Sequence, residues 1–120
     1  MRHLFVYGTL RRGSGNKFAR MLADGAEFVG TARVPGQLFN FGRYPGAVAS
    51  DKANQWVQGE VWRLEDPVLL PSLDDYEGAK YERAIAPAQM GNGLEVNCWI
   101  YWYVGSEPGR LITSGDWFQR

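Results

Sequence analysis

Phe5-Val6-Tyr7-Gly8-Thr9-Leu10-Arg11-Arg12-Gly13-Ser14-Gly15-Asn16 is an apolar run that stops abruptly at small residues. Residues 3–7 read as a buried strand, Gly8 and Thr9 allow the backbone to approach a neighbour closely, and residues 13–15 free the chain before Asn16. A helix pattern follows, with Phe18, Met21 and Leu22 on one face and Gly25 as its stop. Such a turn presents main-chain N–H groups next to the partial positive charge of a helix start, with Arg11 and Arg12 at hand. It therefore suits a carboxylate or a phosphate. The same residues also read as a glycine-rich connection with solvated arginines.

Beyond this segment, residues 26–34 and 37–41 read as strands around a tight turn at Pro35-Gly36, and Tyr44-Pro45-Gly46-Ala47-Val48 as a rigid loop. Residues 55–64 are strand-like, with Val57, Gly59 and Val61 on one face and Trp56, Gln58, Glu60 and Trp62 on the other. Two tryptophans on the second face predict cover on both sides. Asp66-Pro67 is a helix start, and Leu69, Leu70 and Leu73 carry an apolar stripe toward Tyr76. Pro71 conflicts with the first turns of that helix. Residues 81–89 and 94–104 flank Gly91-Asn92-Gly93 as a hairpin, and the second arm carries Trp99, Tyr101 and Tyr103 on one face. Ser114-Gly115-Asp116-Trp117-Phe118 is irregular and docks its aromatics on the body. About six strands and two short helices predict an α+β fold: a small mixed β-barrel, closed or half-closed, with helices on its rim. Barrel mouths of this size hold one small ligand.

A chain of 120 residues suits one domain spanning residues 1–120, able to bury roughly two-thirds of the surface its unfolded form exposes. Thirteen Lys plus Arg balance thirteen Asp plus Glu, so no general attraction to nucleic acid or anionic lipid is expected. With His3 the only histidine and Cys98 the only cysteine, neither a zinc site nor an intrachain disulfide is expected. Cys98, set in an apolar run, reads as a small buried side chain in a reducing compartment. The start runs directly into a strand, and no apolar run reaches the length of a membrane span. A soluble cytoplasmic protein is the expectation; its oligomeric state is not written in these features.

Leu73-Asp74-Asp75-Tyr76-Glu77-Gly78 places three acids at the end of the second helix, and helical phase separates them. Glu77 lies four residues after Leu73 and eight after Leu69, so it points with the apolar stripe, whereas Asp75 faces water. Asp74 is intermediate, placed to orient a neighbouring base or bind a loop N–H. An inward carboxylate at a helix C-terminus is disfavoured by desolvation and by the dipole; the dipole contributes less than about 1 kcal/mol, so burial must dominate any large shift. A glutamate so placed is a base useful near neutral pH. The alternative is an ion pair with Lys80 or Arg83 that fixes the helix end. Glu60 and Glu82 are weaker candidates, and Cys98 lacks an activating neighbour.

Together, Val6-Tyr7-Gly8-Thr9-Leu10-Arg11-Arg12-Gly13, Tyr44-Pro45-Gly46-Ala47-Val48, Gly59-Glu60-Val61-Trp62, Leu73-Asp74-x-x-Glu77-Gly78-x-x-Tyr81-x-Arg83 and Ser114-Gly115-Asp116-Trp117 resemble the gamma-glutamylcyclotransferase-like family. The resemblance spans nearly the whole chain. The short length is most similar to the gamma-glutamylamine cyclotransferase branch and its small bacterial relatives. It implies a mixed barrel, a cavity beside the Tyr-Gly-Thr-Leu loop, Glu77 as catalytic base and acid, a small gamma-glutamyl substrate, and no cofactor. It also implies that N–H groups around Gly8, Thr9 and Leu10 grip the glutamyl end or the developing oxyanion, with Tyr7 close by. Residues 44–48, Tyr44 among them, and Tyr101 or Tyr103 would line the pocket. Nothing outside these motifs names the amine half of a substrate. A non-catalytic small-ligand module on the same barrel is the alternative. A third reading, an interaction subunit using its aromatic strand face, rests on composition alone.

Overall fold

The computed structural model describes residues 2–13, 15–52 and 54–120. Seven strands and two helices follow one another as β1 (His3–Val6), α1 (Lys17–Gly25), β2 (Ala26–Asn40), β3 (Pro45–Ala49), β4 (Trp56–Leu64), α2 (Leu69–Glu77), β5 (Tyr81–Met90), β6 (Glu95–Tyr103) and β7 (Arg110–Ile112). Short 3-10 turns stand at Gly78–Lys80 and Trp117–Gln119. The strands close into a ring: β1 pairs β4, β4 pairs β2 and β2 pairs β3, all antiparallel, then β3 joins β6 and β6 joins β1 in parallel. The hairpin partner β5 runs the length of β6 and returns to β2 at Ala32 and Arg33. The result is the small mixed barrel with rim helices that the pattern predicts.

Two cores explain why the strands are apolar on both faces. Alternate residues Phe5, Val57, Val61, Cys98 and Ile100 fill the barrel, while their neighbours Leu4, Val6, Trp62, Leu64 and Tyr101 pack outward against Leu22 of α1 and Leu69 and Leu73 of α2. Each such side chain fully removed from water contributes about 1.5–3 kcal/mol. Asn16 caps α1 by accepting from the Phe18 N–H at 2.8 Å. Cys98 is wholly buried, and burial pushes its thiol up to about 12. It belongs to the core. Among the described residues no helix is long and apolar enough to cross a membrane.

Three expectations fail locally. First, β2 is one strand through Pro35-Gly36, not two strands and a turn. Pro35 is the last residue paired with β4 and Gly36 the first paired with β3, so the missing proline N–H falls where the partners change. Second, most of the 44–48 segment is strand β3, drawn out by its ladder to residues 36–40 of β2. Third, Pro71 is accommodated because α2 begins at Leu69, which leaves the proline in the first turn where no intrahelical N–H bond is due. The short β7 was not anticipated; it pairs Leu38, Phe39 and Asn40 of β2. The 114–118 segment docks as expected through Trp117, which is buried in the barrel core.

Candidate functional site

A cavity of about 290 Å³ opens between the end of β1, the end of α2, the start of β3 and the β5 and β6 strands. Its walls include Phe5, Val6, Tyr7, Pro45 and Tyr101, and its lining also contains Gly8, Thr9, Leu10, Tyr44, Tyr76, Glu77, Lys80 and Tyr81. The first turn and the helix-end glutamate, nearly seventy positions apart in the chain, thus meet in one hollow. Tyr103 does not line it. That side chain stacks on Phe41 at 4.2 Å and its hydroxyl accepts from the Glu107 N–H at 3.3 Å. Of residues 44–48, only Tyr44 and Pro45 reach the cavity.

Glu77 continues the buried i, i+4 stripe of Leu69 and Leu73. Gly78, at φ 74°, then turns the chain out of the helix and donates its N–H to Asp74 O. Burial raises the Glu77 carboxyl from its ordinary 4.5 to about 7. The alternative, an ion pair with Lys80 or Arg83, is absent among the described residues, and both cations are engaged elsewhere. Lys80 pairs with Glu107 and Tyr44 at the mouth. Arg83 is held by Asp74, with Nε at 2.9 Å from Oδ1 and Nη2 at 3.1 Å from Oδ2.

Among the described residues the Asp74 side chain neither orients a base nor binds a loop N–H: besides Arg83 it accepts from the Tyr101 hydroxyl at 2.7 Å. Its burial alone would raise its pKa, but the hydrogen bonds from Arg83 and Tyr101 and the guanidinium charge outweigh this and lower it. Three residues apart on one helix, the two acids are driven in opposite directions. Asp74 stays ionised as the clamp, and Glu77 can exchange a proton near neutrality.

The tyrosines supply walls more than donors. Tyr7 donates to Tyr101 O at 2.6 Å and accepts from the Ala47 N–H at 3.2 Å; Tyr81 donates to Pro45 O at 2.5 Å; Tyr44 donates to Glu107 at 2.8 Å. The Tyr76 hydroxyl and Thr9 Oγ1 lie 3.3 Å apart. With their protons committed, the Tyr81 and Tyr101 oxygens face a ligand only as acceptors. Burial first, and then the nearby Glu77 charge, raise the Tyr81 pKa, which keeps that phenol neutral.

At the turn, the Arg11 N–H bonds Gly8 O at 3.0 Å and the Arg12 N–H bonds Glu60 Oε1 at 2.7 Å. The N–H groups of Gly8 and Leu10 make no such bond within the described residues. Neither arginine lines the cavity: Arg11 reaches Asp116, and Arg12 lies over the Phe28 ring at 3.9 Å. Nor does the start of α1 border it; there Asn16 Oδ1 accepts from the Phe18 N–H. Ser14, within the glycine-rich segment, lies outside the described residues. Gly8 is needed for contact, because a Cβ there would stand 2.4 Å from Pro45 Cγ.

By sequence, Tyr76 and Tyr81 have no pocket role; Tyr81 enters only within the motif from Leu73 to Arg83, and Lys80 only as an alternative ion-pair partner of Glu77. Glu60, a weaker candidate by sequence, is 4% exposed and accepts from both the Arg12 N–H and Trp62 Nε1.

The family described as gamma-glutamyl cyclotransferase, AIG2-like, matches residues 4–119. The chain is 36% identical over 121 residues to the gamma-glutamylcyclotransferase family protein YtfP of Escherichia coli strain K12, covering 98% of this chain and 96% of that one. It is 28% identical over 120 residues to the gamma-glutamylaminecyclotransferase of Rattus norvegicus, covering 84% and 77% respectively. Its fold superposes on the crystal structure of an AIG2-like protein from Mus musculus with a TM-score of 0.77 at 30% identity, over 90% of this chain and 80% of the other.

Proposed function

The chain belongs to the gamma-glutamyl cyclotransferase, AIG2-like family, and on that premise we propose that it converts a gamma-glutamyl amide, of the gamma-glutamylamine type, into 5-oxoproline and the free amine. One observation carries the residue-level reading: Glu77, with its pKa raised to about 7, lines the same cavity as Gly8, Thr9 and Leu10.

Such a substrate contains its own nucleophile. Glu77 takes a proton from the α-amino group, whose lone pair attacks the side-chain carbonyl carbon. The new C–N bond closes a five-membered lactam, and the carbonyl π electrons move onto oxygen. As that oxyanion collapses, the bond to the leaving nitrogen breaks and Glu77 returns the proton to it. One C–N bond forms, one breaks, and no water is consumed. The Gly8 and Leu10 N–H groups suit the oxygen or the glutamyl carboxylate, and the Tyr81 and Tyr101 oxygens suit the amine. Folding the chain so that nitrogen and carbonyl meet is worth up to roughly 7–11 kcal/mol in favourable systems, so the walls matter as much as the acid.

The test is release of 5-oxoproline from a panel of gamma-glutamyl amines. As the ionised carboxylate is the active form, kcat/KM is expected to rise with pH through about 7 on its acid limb. Binding without turnover across the panel would favour the ligand-module alternative. Gly8→Ala is expected to push Pro45 aside and displace the donors. A kcat/KM loss of about 10–100-fold should follow, with about 1–3 kcal/mol of destabilisation measured by urea melting. Wild-type kinetics in that variant would count against the loop.

A further inference from the structure

The sequence motif Ser114-Gly115-Asp116-Trp117 is not explained by the cavity, which none of its residues lines. Its contacts lead to the other side of the Gly8–Leu10 turn. Asp116 Oδ1 accepts from Arg11 Nη1 at 2.6 Å across 105 positions of chain. The Phe118 ring covers the Arg11 guanidinium with 4.2 Å between Cζ and the ring centroid, which gives this partly exposed aromatic a purpose. Arg11 itself is 9% exposed. Its own N–H meanwhile closes the turn on Gly8 O. The next residue is held just as firmly from β4, where buried Glu60 accepts the Arg12 N–H.

The tail that provides Asp116 is built to stay in place. Gly115, at φ 69°, lies so close to β4 that a Cβ would come within 2.0 Å of Trp56 O, and its own carbonyl accepts from the Gln58 N–H at 2.8 Å. Asp116 also caps the final turn by accepting from the Phe118 N–H at 2.9 Å, and the Ser114 hydroxyl accepts the Asp116 N–H at 3.1 Å. No other carboxylate pairs with Arg11 among the described residues. A buried guanidinium with a single charge partner has one favoured position, and a residue so fixed restricts the turn that precedes it.

We propose that Asp116 and Phe118 are positioning residues for the substrate loop: acting through Arg11, the C-terminal segment sets the direction in which the Gly8 and Leu10 N–H groups face the cavity. This rests on the reading of that main chain as the donor set. The segment touches no substrate. It replaces flexibility in a glycine-rich turn with a rigid support drawn from the far end of the chain, so donors are already aligned when charge develops.

Removing Asp116 alone strands a buried cation and risks unfolding, so the decisive variant changes both partners, Arg11→Met with Asp116→Asn. The asparagine keeps the acceptor for the Phe118 N–H. Expected are a melting temperature within about 5 °C of wild type, a kcat/KM for 5-oxoproline release at least about tenfold lower, and an acid limb still near 7 because Glu77 is untouched. Unchanged kcat/KM overturns the proposal, and so does a loss that moves the acid limb, which would mean that the tail acts on Glu77. Amide hydrogen exchange gives a readout independent of turnover. It should quicken at least about tenfold at the amides of position 11 and Arg12, which are bonded to Gly8 O and Glu60 Oε1, but not at Val57 or Val61 of β4. Equal exchange in both proteins, or a uniform rise, refutes the support. If the wild type releases no 5-oxoproline, the activity fails by itself, and the exchange measurement still decides whether the tail orders the loop.

Discussion

Glu77→Gln is expected to reduce 5-oxoproline release at least about 100-fold, within the range that a single positioned proton carrier supplies. The replacement keeps the shape of the side chain and lines the cavity equally well, but it can neither take the proton of the α-amino group nor return one to the leaving nitrogen. The loss should fall on kcat. KM should change little, since the walls and the Gly8–Leu10 main chain are intact. Single-turnover assays on the most active amide of the panel, at pH 6, 7 and 8, would show the residual rate without the wild-type acid limb. Equal turnover by the variant would remove Glu77 from the mechanism while leaving the family assignment untouched.

The same substitution is expected to stabilise the protein at alkaline pH. The Glu77 carboxyl is raised from 4.5 to about 7 by burial, so the folded protein holds a proton that the unfolded chain releases between those values. Stability attached to this group is therefore fully present below about 4.5 and is lost as pH rises to about 7. At pH 8 the wild type bears the whole penalty of a poorly solvated carboxylate, about 2–3 kcal/mol, nearer the lower figure because the residue keeps some solvent contact. Glutamine bears none of it. Glu77→Gln should melt about 5–10 °C higher than wild type at pH 8, and the two should converge near pH 4.5. A less stable variant at pH 8 would mean that the carboxylate has a favourable partner when ionised. Gain of stability with loss of turnover is the expected mark of a strained functional acid.

Asp74 is a useful contrast. It lies one turn earlier on the same helix, and its lowered pKa means that its contribution is present at neutral pH and lost on acidification. Two acids on one helix thus respond to pH in opposite senses. What differs is burial and its compensation: among the described residues Glu77 is desolvated without a charge partner, whereas Arg83 and the Tyr101 hydroxyl donate to Asp74.

Local features were legible from the residues alone. Strand β1, the helix that follows Asn16, the alternating faces of β4 and the β5–β6 hairpin follow from periodicities and turn residues that depend on near neighbours. So does the direction of Glu77, because eight residues of helix carry the phase from Leu69 without outside information. Even the two-sided burial of β4 was visible, since tryptophans at positions 56 and 62 flank Gln58 and Glu60 on the second face.

Tertiary structure decided where hydrogen bonds with distant partners outweigh local preference. Pro35-Gly36 has the composition of a turn, yet β4 on one stretch and β3 on the next keep β2 extended through it. Arg11 and Arg12 look like ligands for an anion until Asp116 and Phe28 take their side chains. Glu60 and Glu82 are alike as letters in strands; the meeting of β4 with the turn after β1 adds the Arg12 N–H to the donor that Trp62 already offers Glu60. Tyr101 and Tyr103 share a strand face, but the cavity ends between them. The sequence alone determined most of the elements and the inward direction of Glu77, because these rest on spacing within a few residues. Which hydroxyls, carbonyls and cations are already engaged, and hence what is left to meet a substrate, depends on contacts between segments up to 105 positions apart and was decided by the closed barrel.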